Sequence, residues 1–360
     1  MDASVELMRQ QIEVRQFHGA HTPTQLEWWY FTGHLWNQET EKSCESADVD
    51  RLLKERIPEY AIQSTFFLSD KTDPKGLLAH SAEAELAKKT HRSSEKFTSF
   101  SQLGSFNPLA FAKQNFLNIT LGHWRLTQLG NFSKHLAWDL RFDVKGTEYL
   151  LHLSLPKNQF WYHGKGGFLK KTATSGNFYY THPRVFASGQ RVGKDQNGAP
   201  VIERVCGQLW FDHEVHVQSV MNVGWKWFGL SFTNGQSLML YQIAEKAQLN
   251  EAQGELWDAA SGKVSHLKNV KILGNKDYCT ESKHCFPQEF KVTFNDPASK
   301  TENVLTVESR FEQQLMDNSA NGLGRPYWEG SVSAHWSRVY GEAEKTPEVL
   351  KGIGFLEQVP

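Results

Sequence analysis

The chain lacks any apolar stretch approaching the ~18 residues of a membrane-spanning helix, and the sequence therefore predicts a soluble protein. It also lacks an excess of charge: 39 basic residues stand against 40 acidic ones, which excludes nucleic-acid binding through a basic field. The first segment, Met1–Gln16, is polar and has no apolar core ending in a small-residue cleavage site. That suits either a cytoplasmic chain or one whose signal has been trimmed and replaced by a start Met. Several catalytic signatures are missing as well. No Gly-x-Ser-x-Gly elbow occurs, so a serine α/β-hydrolase is unsupported. His213-Glu214-Val215-His216 lacks the helical-turn spacing of HExxH.

Cysteine is scarce, with 4 in 360 residues. Cys279 and Cys285 bracket a short loop, which predicts a disulfide in an oxidising compartment. Zinc held by Cys279, Cys285 and His284 is the rival reading, against which paired CxxC spacing is absent.

Aromatic residues are plentiful: 12 Trp and 23 Phe favour strands and apolar-lined cavities over helical bundles. Glu27–Trp36 reads as an aromatic strand and Tyr60–Leu68 as the next. Between them Val49, Leu52, Leu53 and Ile57 have helical spacing and predict a surface helix. Ser69–Gly76 and Lys88–Ser101 read as polar loops. Trp124–Leu129, Leu136–Val144 and Tyr149–Leu155 alternate as antiparallel strands with one wet face. Trp225–Phe232 and Ser237–Ile243 flank Asn234-Gly235, which predicts a hairpin with a type I′ turn. Short strands follow at Val270–Leu273, Glu289–Phe294, Val304–Glu308 and Tyr327–Trp336. The Trp-rich segment from Glu27 is echoed by Gly224–Gly229. The expectation is an all-β chain of two barrel-like domains, 1–215 and 216–360, with the boundary near Val215–Gly224.

Chemistry concentrates at Trp210-Phe211-Asp212-His213-Glu214. On a strand, alternation places Trp210, Asp212, Glu214 and His216 on one face and Phe211, His213 and Val215 on the other. An apolar wall raises an acid's pKa, so Asp212 is a candidate proton donor at neutral pH. Glu214 would raise it further, and Trp210, Trp225 and Trp227 would stabilise a developing cation through their ring faces. The competing reading is structural: Asp212 and His213 lock a junction between barrels through hydrogen bonds. A metal held by Asp212, Glu214, His216 and His182 is disfavoured for want of recognisable spacing, and no metal or cofactor is expected.

In the Trp-rich strand, Trp28 and Tyr30 point one way and Glu27, Trp29 and Phe31 the other. One set packs; Trp28, Trp29 and Tyr30 are together candidates for lining a ligand cavity. Glu27 is expected to pair with an Arg or with backbone. His163-Gly164-Lys165-Gly166-Gly167 carries neither phosphate-loop spacing and reads as a flexible loop or lid at a barrel mouth. Arg325 is a candidate partner for a buried carboxylate.

Taken in order, Glu27–Gly33, Phe66-Phe67, His163–Gly167, Tyr179-Tyr180, Trp210–Glu214, Gly224–Phe228, Leu238–Tyr241 and Tyr327–Gly330 resemble the AttH/carotenoid 1,2-hydratase family from about His18 to Gly330. The resemblance implies two tandem lipocalin-like, calycin-type barrels. It implies as proton donor Asp212, with Trp210 two places before it, and further site residues at Tyr180 and His182. Fungal cyclases of Diels–Alder type are similar, and many bacterial members are envelope proteins described as secreted hydrolases. This chain departs from them at Val215-His216-Val217, where bacterial relatives usually have Trp-Gly, and in lacking the closing Thr-Gly-Tyr.

The expected function is binding of a hydrophobic, isoprenoid- or lipid-like small molecule in a barrel cavity, with acid-catalysed hydratase chemistry at Asp212. The alternatives are a non-catalytic envelope carrier serving an ABC-type transporter, with peripheral membrane association, and a pericyclase-like isomerase. The expected location is the periplasm or cell envelope.

Overall fold

The computed structural model describes residues 18–21, 24–39, 44–69, 75–99, 110–112, 116–129, 136–155, 160–170, 176–216, 223–245, 248–296, 301–316, 327–338 and 348–360. Met1–Gln16, the segment 217–222 and Arg325 lie outside them. Among the described residues no helix is long and apolar enough to cross a membrane.

The first half forms one antiparallel sheet. Its strands are β1 (Leu26–Gln38), β2 (Tyr60–Ser69), β3 (Gly76–Glu85), β4 (Thr90–Ser99), β5 (Ala110–Ala112), β6 (Asn118–Leu121), β7 (Trp124–Leu129), β8 (Leu136–Val144), β9 (Thr147–Leu155), β10 (Trp161–Tyr162), β11 (Phe168–Lys170), β12 (Gly176–Lys194) and β13 (Pro200–His216). Their order is β4-β3-β2-β1-β13-β12-β9-β8-β7-β6-β5, with β10 and β11 paired to β12. The sheet curls until β3 and β4 pack against β6 and β8.

The second half repeats the plan. It contains β14 (Val223–Phe232), β15 (Gln236–Glu245), β16 (Gln248–Leu249), β17 (Gln253–Asp258), β18 (Val264–His266), β19 (Lys268–Cys279), β20 (Cys285–Asp296), β21 (Thr301–Ser309), β22 (Leu315–Met316), β23 (Tyr327–Arg338) and β24 (Glu348–Val359). Their order is β18-β17-β15-β14-β24-β23-β21-β20-β19, with β16 on β15 and β22 on β23. The architecture is almost all-β, two barrel-like sheets in tandem, as the lipocalin-like expectation has it.

Alternation fills both barrels. In the first, Trp29, Phe31, Trp124, Trp138 and Phe211 form a dry interior. In the second, Phe228, Phe290, Trp328, Trp336 and Leu356 do the same. Burying one such indole removes about 200 Å² from water, worth about 5 kcal/mol by area. The opposite faces of β1, β12 and β13 pack on β14, β15 and β24 through Tyr30, Tyr179, Trp210, Trp227, Tyr241 and Phe355. The halves therefore meet through sheet faces.

Three local expectations change. Lys88–Ser101 is not a loop: it contains β4, paired along its whole length with β3. Polar residues on an edge strand keep it from pairing further, and that disguises the strand. The 232–236 hairpin closes with three residues, and of Asn234 and Gly235 only Gly235 has positive φ, at 84°. It is thus not a type I′ turn, because one left-handed residue closes a three-residue loop. The predicted helix runs Ser46–Glu55 and buries Val49 and Leu52, while Ile57 lies beyond it, exposed. Cys279 and Cys285 form a disulfide, and a second bond joins Cys44 to Cys206, holding the helix's start to β13 across 162 residues.

Candidate functional site

β1 and β13 pair so that Tyr30 lies opposite Asp212 and Trp28 opposite Glu214. Side chains two apart share a face, and these four point out of the first barrel toward the second. They line an open cavity between the two sheets with Thr65, Phe67, Tyr179, His216, Trp225, Trp227, Tyr241, Tyr327, Glu329 and Glu357. The centres of water-sized molecules can occupy about 100 Å³ of it. The cavity thus lies between barrels and not inside one, because both interiors are filled with aromatic side chains.

Asp212 is buried and receives three hydrogen bonds. Trp210 Nε1–H and Thr181 O–H donate to Oδ1 at 2.7 and 2.5 Å, and Tyr179 O–H donates to Oδ2 at 2.9 Å. All three donors are neutral. Burial, reinforced by Glu214, outweighs them and pushes the carboxyl up to about 8. Trp227 Nε1–H donates to the Tyr179 oxygen at 3.1 Å, and Tyr179 O–H also reaches Met239 Sδ at 3.3 Å.

A hydrogen-bonded chain leads away from Asp212. Thr181 Oγ1 lies 2.7 Å from His163 Nε2, and His163 Nδ1 lies 2.6 Å from Glu255 Oε2. Glu255 Oε1 meets His266 Nδ1 at 2.8 Å, on a side chain that is 70% exposed. The hydroxyl–imidazole–carboxylate order is that of a hydrolase triad, but Thr181 is fully buried and does not line the cavity. Its hydroxyl has no access to a substrate.

The second barrel contributes Glu329, on β23, and Glu357, on β24. Tyr30 O–H donates to Glu329 Oε1 at 2.7 Å, and Trp225 Nε1–H to Glu357 Oε2 at 2.9 Å. Burial, with Glu357 nearby, pushes Glu329 well above the usual carboxylate range.

The other face of β13 carries a different network. His213 Nε2 and His21 Nδ1 meet Glu27 Oε1 at 2.7 and 2.8 Å, and the His21 backbone N–H donates to Oε2 at 2.8 Å. Tyr180 O bridges His213 Nδ1 and His18 Nδ1 at 2.7 and 2.5 Å. Burial raises Glu27, but the charge and N–H of His21 and the N–H of His213 outweigh it and hold the carboxyl low. Burial keeps His213 neutral. The donor atoms of His21, Glu27 and His213 lie within 4.8 Å of one another and so can hold a metal ion. Glu27 accepting from both rings accounts for the same distances.

Of the sequence-predicted site residues, the fold brings Asp212, Glu214, Trp28, Tyr30, Trp225 and Trp227 to one cavity. Three belong elsewhere. Tyr180 faces the first barrel's interior, since it is one residue out of phase with Tyr179. His182 shares that parity: its Nδ1 accepts from the Arg184 backbone N–H at 3.3 Å, and its ring meets Phe160. Trp29 is interior too, stacked on His213 and donating to the His18 carbonyl at 2.8 Å. Trp210 touches Asp212 but does not line the cavity. Glu27 pairs with two His and a backbone amide, and with no Arg among the described residues.

The glycine-rich loop is no lid. His163 is buried and ties the two barrels through Glu255. Gly164 has φ 63°, and a Cβ there would lie 2.2 Å from the Phe168 carbonyl. Sequence reasoning missed Tyr179, Thr181, His163, Glu255, Glu329 and Glu357. Tyr179 and Thr181 were within reach of the same alternation argument applied to β12; the others required knowing how the sheets face.

The comparisons with known proteins agree with this architecture. A putative AttH from Nitrosomonas europaea, solved as a crystal structure, is similar at 23% identity, with TM-score 0.74, covering 97% of this chain and 96% of that one. Kievitone hydratase from Nectria haematococca is similar at 10% identity, with TM-score 0.68, covering 97% and 92%. These likenesses establish the fold alone. No curated protein matches the sequence. The AttH-like family model matches residues 7–358, and the chain therefore belongs to the AttH-like family.

Proposed function

We propose that the inter-barrel cavity binds a hydrophobic, isoprenoid-like small molecule and that Asp212 catalyses its hydration as general acid. The observation that carries this reading is a buried carboxyl, shifted to about 8, on the wall of an aromatic-lined cavity. The likeness to a hydratase of the same fold is in keeping with it.

At neutral pH Asp212 carries its proton. With that proton on Oδ2, the bond to Tyr179 reverses, and Tyr179 turns its own O–H to Met239 Sδ. A substrate alkene takes the Oδ2 proton, its π pair forms the new C–H bond, and the positive charge rests on the more substituted carbon. The faces of Trp28, Trp225 and Trp227 stabilise it. Water adds to the cation and gives its proton to the Asp212 carboxylate, so the net change is addition of H₂O. The chain through Thr181, His163, Glu255 and His266 offers the carboxyl a second route to solvent protons when a ligand fills the cavity.

The test is incubation of isoprenoid alkenes with the protein in ¹⁸O-enriched water. The expected product gains one water with ¹⁸O, and Asp212→Asn lowers its rate of formation about 10²- to 10⁴-fold. Tight binding with no hydration of any alkene would instead favour the carrier reading, in which the three hydrogen bonds to Asp212 are structural. In that reading the protein hands a lipophile to a transporter at a membrane surface. Two disulfides support an oxidising compartment such as the cell envelope.

A further inference from the structure

On the interior side of the first barrel, facing away from the Asp212 cavity, three side chains of metal-ligating type converge. His21 comes from the segment 18–21, Glu27 from β1 and His213 from β13. One donor atom of each lies within 4.8 Å of the other two. Two imidazoles and one carboxylate are a ligand set that zinc takes in open, three-ligand sites. No local spacing announces this set, because Glu27 and His213 are 186 residues apart.

Two further observations favour an ion here. The first is charge. The Glu27 and His213 side chains are fully buried, that of His21 is 15% exposed, and among the described residues no Lys or Arg pairs with Glu27. Buried charges in proteins are paired or coordinate metals, and the groups within reach of this carboxylate are imidazoles. The second is the support behind His213. Its Nδ1 meets the Tyr180 oxygen at 2.7 Å, and its ring stacks on Trp29 with centroids 4.9 Å apart. An imidazole whose outer N–H donates to an oxygen is oriented as metal ligands are, with the lone pair on the other nitrogen. Tyr180 then gives its own hydrogen to His18 Nδ1. In that arrangement His213 Nε2 and Glu27 Oε1, 2.7 Å apart, are two acceptors facing each other, and a cation belongs between them.

We propose that His21, Glu27 and His213 bind a divalent transition ion of the zinc type, which clamps the segment 18–21 onto β1 and β13. Zinc bonds of about 2.0–2.1 Å set neighbouring ligand atoms about 3.3 Å apart. Glu27 Oε1 lies 2.7 Å from His213 Nε2 and 2.8 Å from His21 Nδ1. The ligands therefore part by about half an ångström to admit the ion, and His21, partly exposed and outside the sheet, is the one placed to move. Three protein ligands leave a fourth position for water. The site lies on the other face of β13 from Asp212, so it stands or falls separately from hydration in the cavity.

The full-length protein, stripped with EDTA and dialysed, is titrated with zinc chloride by calorimetry, and its metal content after gel filtration is read by plasma mass spectrometry. One zinc per chain is expected, and zinc at about 100-fold over its Kd raises the melting temperature by several degrees. His21→Ala removes the ligand that lies outside the sheet. It is expected to weaken zinc by at least about 100-fold, more than the loss of an outer hydrogen bond costs, and to melt as metal-free wild type does. Tyr180→Phe keeps all three ligands but loses the contact that orients His213, and it is expected to weaken zinc about 10- to 100-fold. His152→Ala, at an exposed His–Asp pair, leaves the affinity unchanged. Absence of stoichiometric zinc overturns the site, as does wild-type affinity in both His21→Ala and Tyr180→Phe. Zinc lost in His152→Ala overturns it too, by identifying adventitious surface binding.

Discussion

Glu27 and Asp212 lie on paired strands, three register positions apart, and solvent barely reaches either side chain. They differ in which way they point. Glu27 faces the first barrel's interior, where two imidazole nitrogens and a backbone amide converge on it, and it stays ionised. Asp212 faces the cavity, where a phenol, an indole and a hydroxyl meet it beside another carboxyl, and it holds its proton. Burial is common to both, so the neighbours decide the charge. One sheet face uses a carboxylate as mortar, and the other keeps an acid in reserve.

The largest test of that contrast is a pair of amide substitutions. Asp212→Asn keeps the shape and the acceptor for Thr181 and Trp210, so folding stability is expected to move by less than about 1 kcal/mol. Hydration is expected to fall about 10²- to 10⁴-fold. Glu27→Gln removes the charge that two imidazoles share and is expected to cost about 3 kcal/mol in urea melts. The remaining folded Glu27→Gln protein should hydrate at the wild-type rate. The reverse pattern, an unstable Asp212→Asn and a neutral Glu27→Gln, would exchange the roles of the two faces.

A smaller effect lies in pH. Asp212 has a folded pKa above its unfolded value, so the folded state binds the extra proton and stability falls as pH rises toward 8. Glu27 has the opposite sign: its contribution is present above the ordinary carboxylate range and is lost as acid protonates it. His18, His34, His91 and His213 are depressed, so stability rises with pH through their unfolded value of 6.5 and levels off about one pH unit above it. These histidines are present in both wild type and Asp212→Asn, so the difference between the two proteins isolates the slope due to Asp212. Glu329, raised in both proteins, cancels in a difference. Wild type is expected to lose about 1.4 kcal/mol per pH unit relative to Asp212→Asn near pH 6.5, falling to about half that at pH 8. Parallel stability curves for the two proteins over that range would show that Asp212 is already ionised.

How much of this was legible in the sequence follows from the same geometry. Alternation along Leu209–Val217 separated Asp212 and Glu214 from His213, and alternation from Glu27 separated Trp28 and Tyr30 from Trp29. Both hold in β13 and β1, because period 2 is a property of the extended chain itself. What alternation does not state is which face meets what. The aromatic strands suggested a hollow barrel, whereas the barrels are filled and the cavity lies where their outer faces meet. Glu329 is contributed from 117 residues beyond Asp212, and no local pattern announces that distance. Tyr180 and His182 came from the family resemblance, and on β12 they have the parity opposite to Tyr179, which on a strand is the opposite face.

That difference of parity defines the smallest and sharpest comparison, between Tyr179 and Tyr180. Tyr180→Phe removes the oxygen between His18 and His213, and Tyr179→Phe removes the one among Asp212, Trp227 and Met239. Each loses one buried hydroxyl, and each is expected to cost about 1–2 kcal/mol of stability. On Asp212 they part company. The Tyr179 hydrogen bond favours the ionised carboxyl, so Tyr179→Phe is expected to raise its midpoint, by on the order of one pH unit, and Tyr180→Phe to leave it unmoved. Carbon-13 NMR of the Asp212 carboxyl across pH 5–10 reads that midpoint directly. Equal shifts in the two variants would mean that β13 transmits charge between its faces, and the division between mortar and reserve would fail.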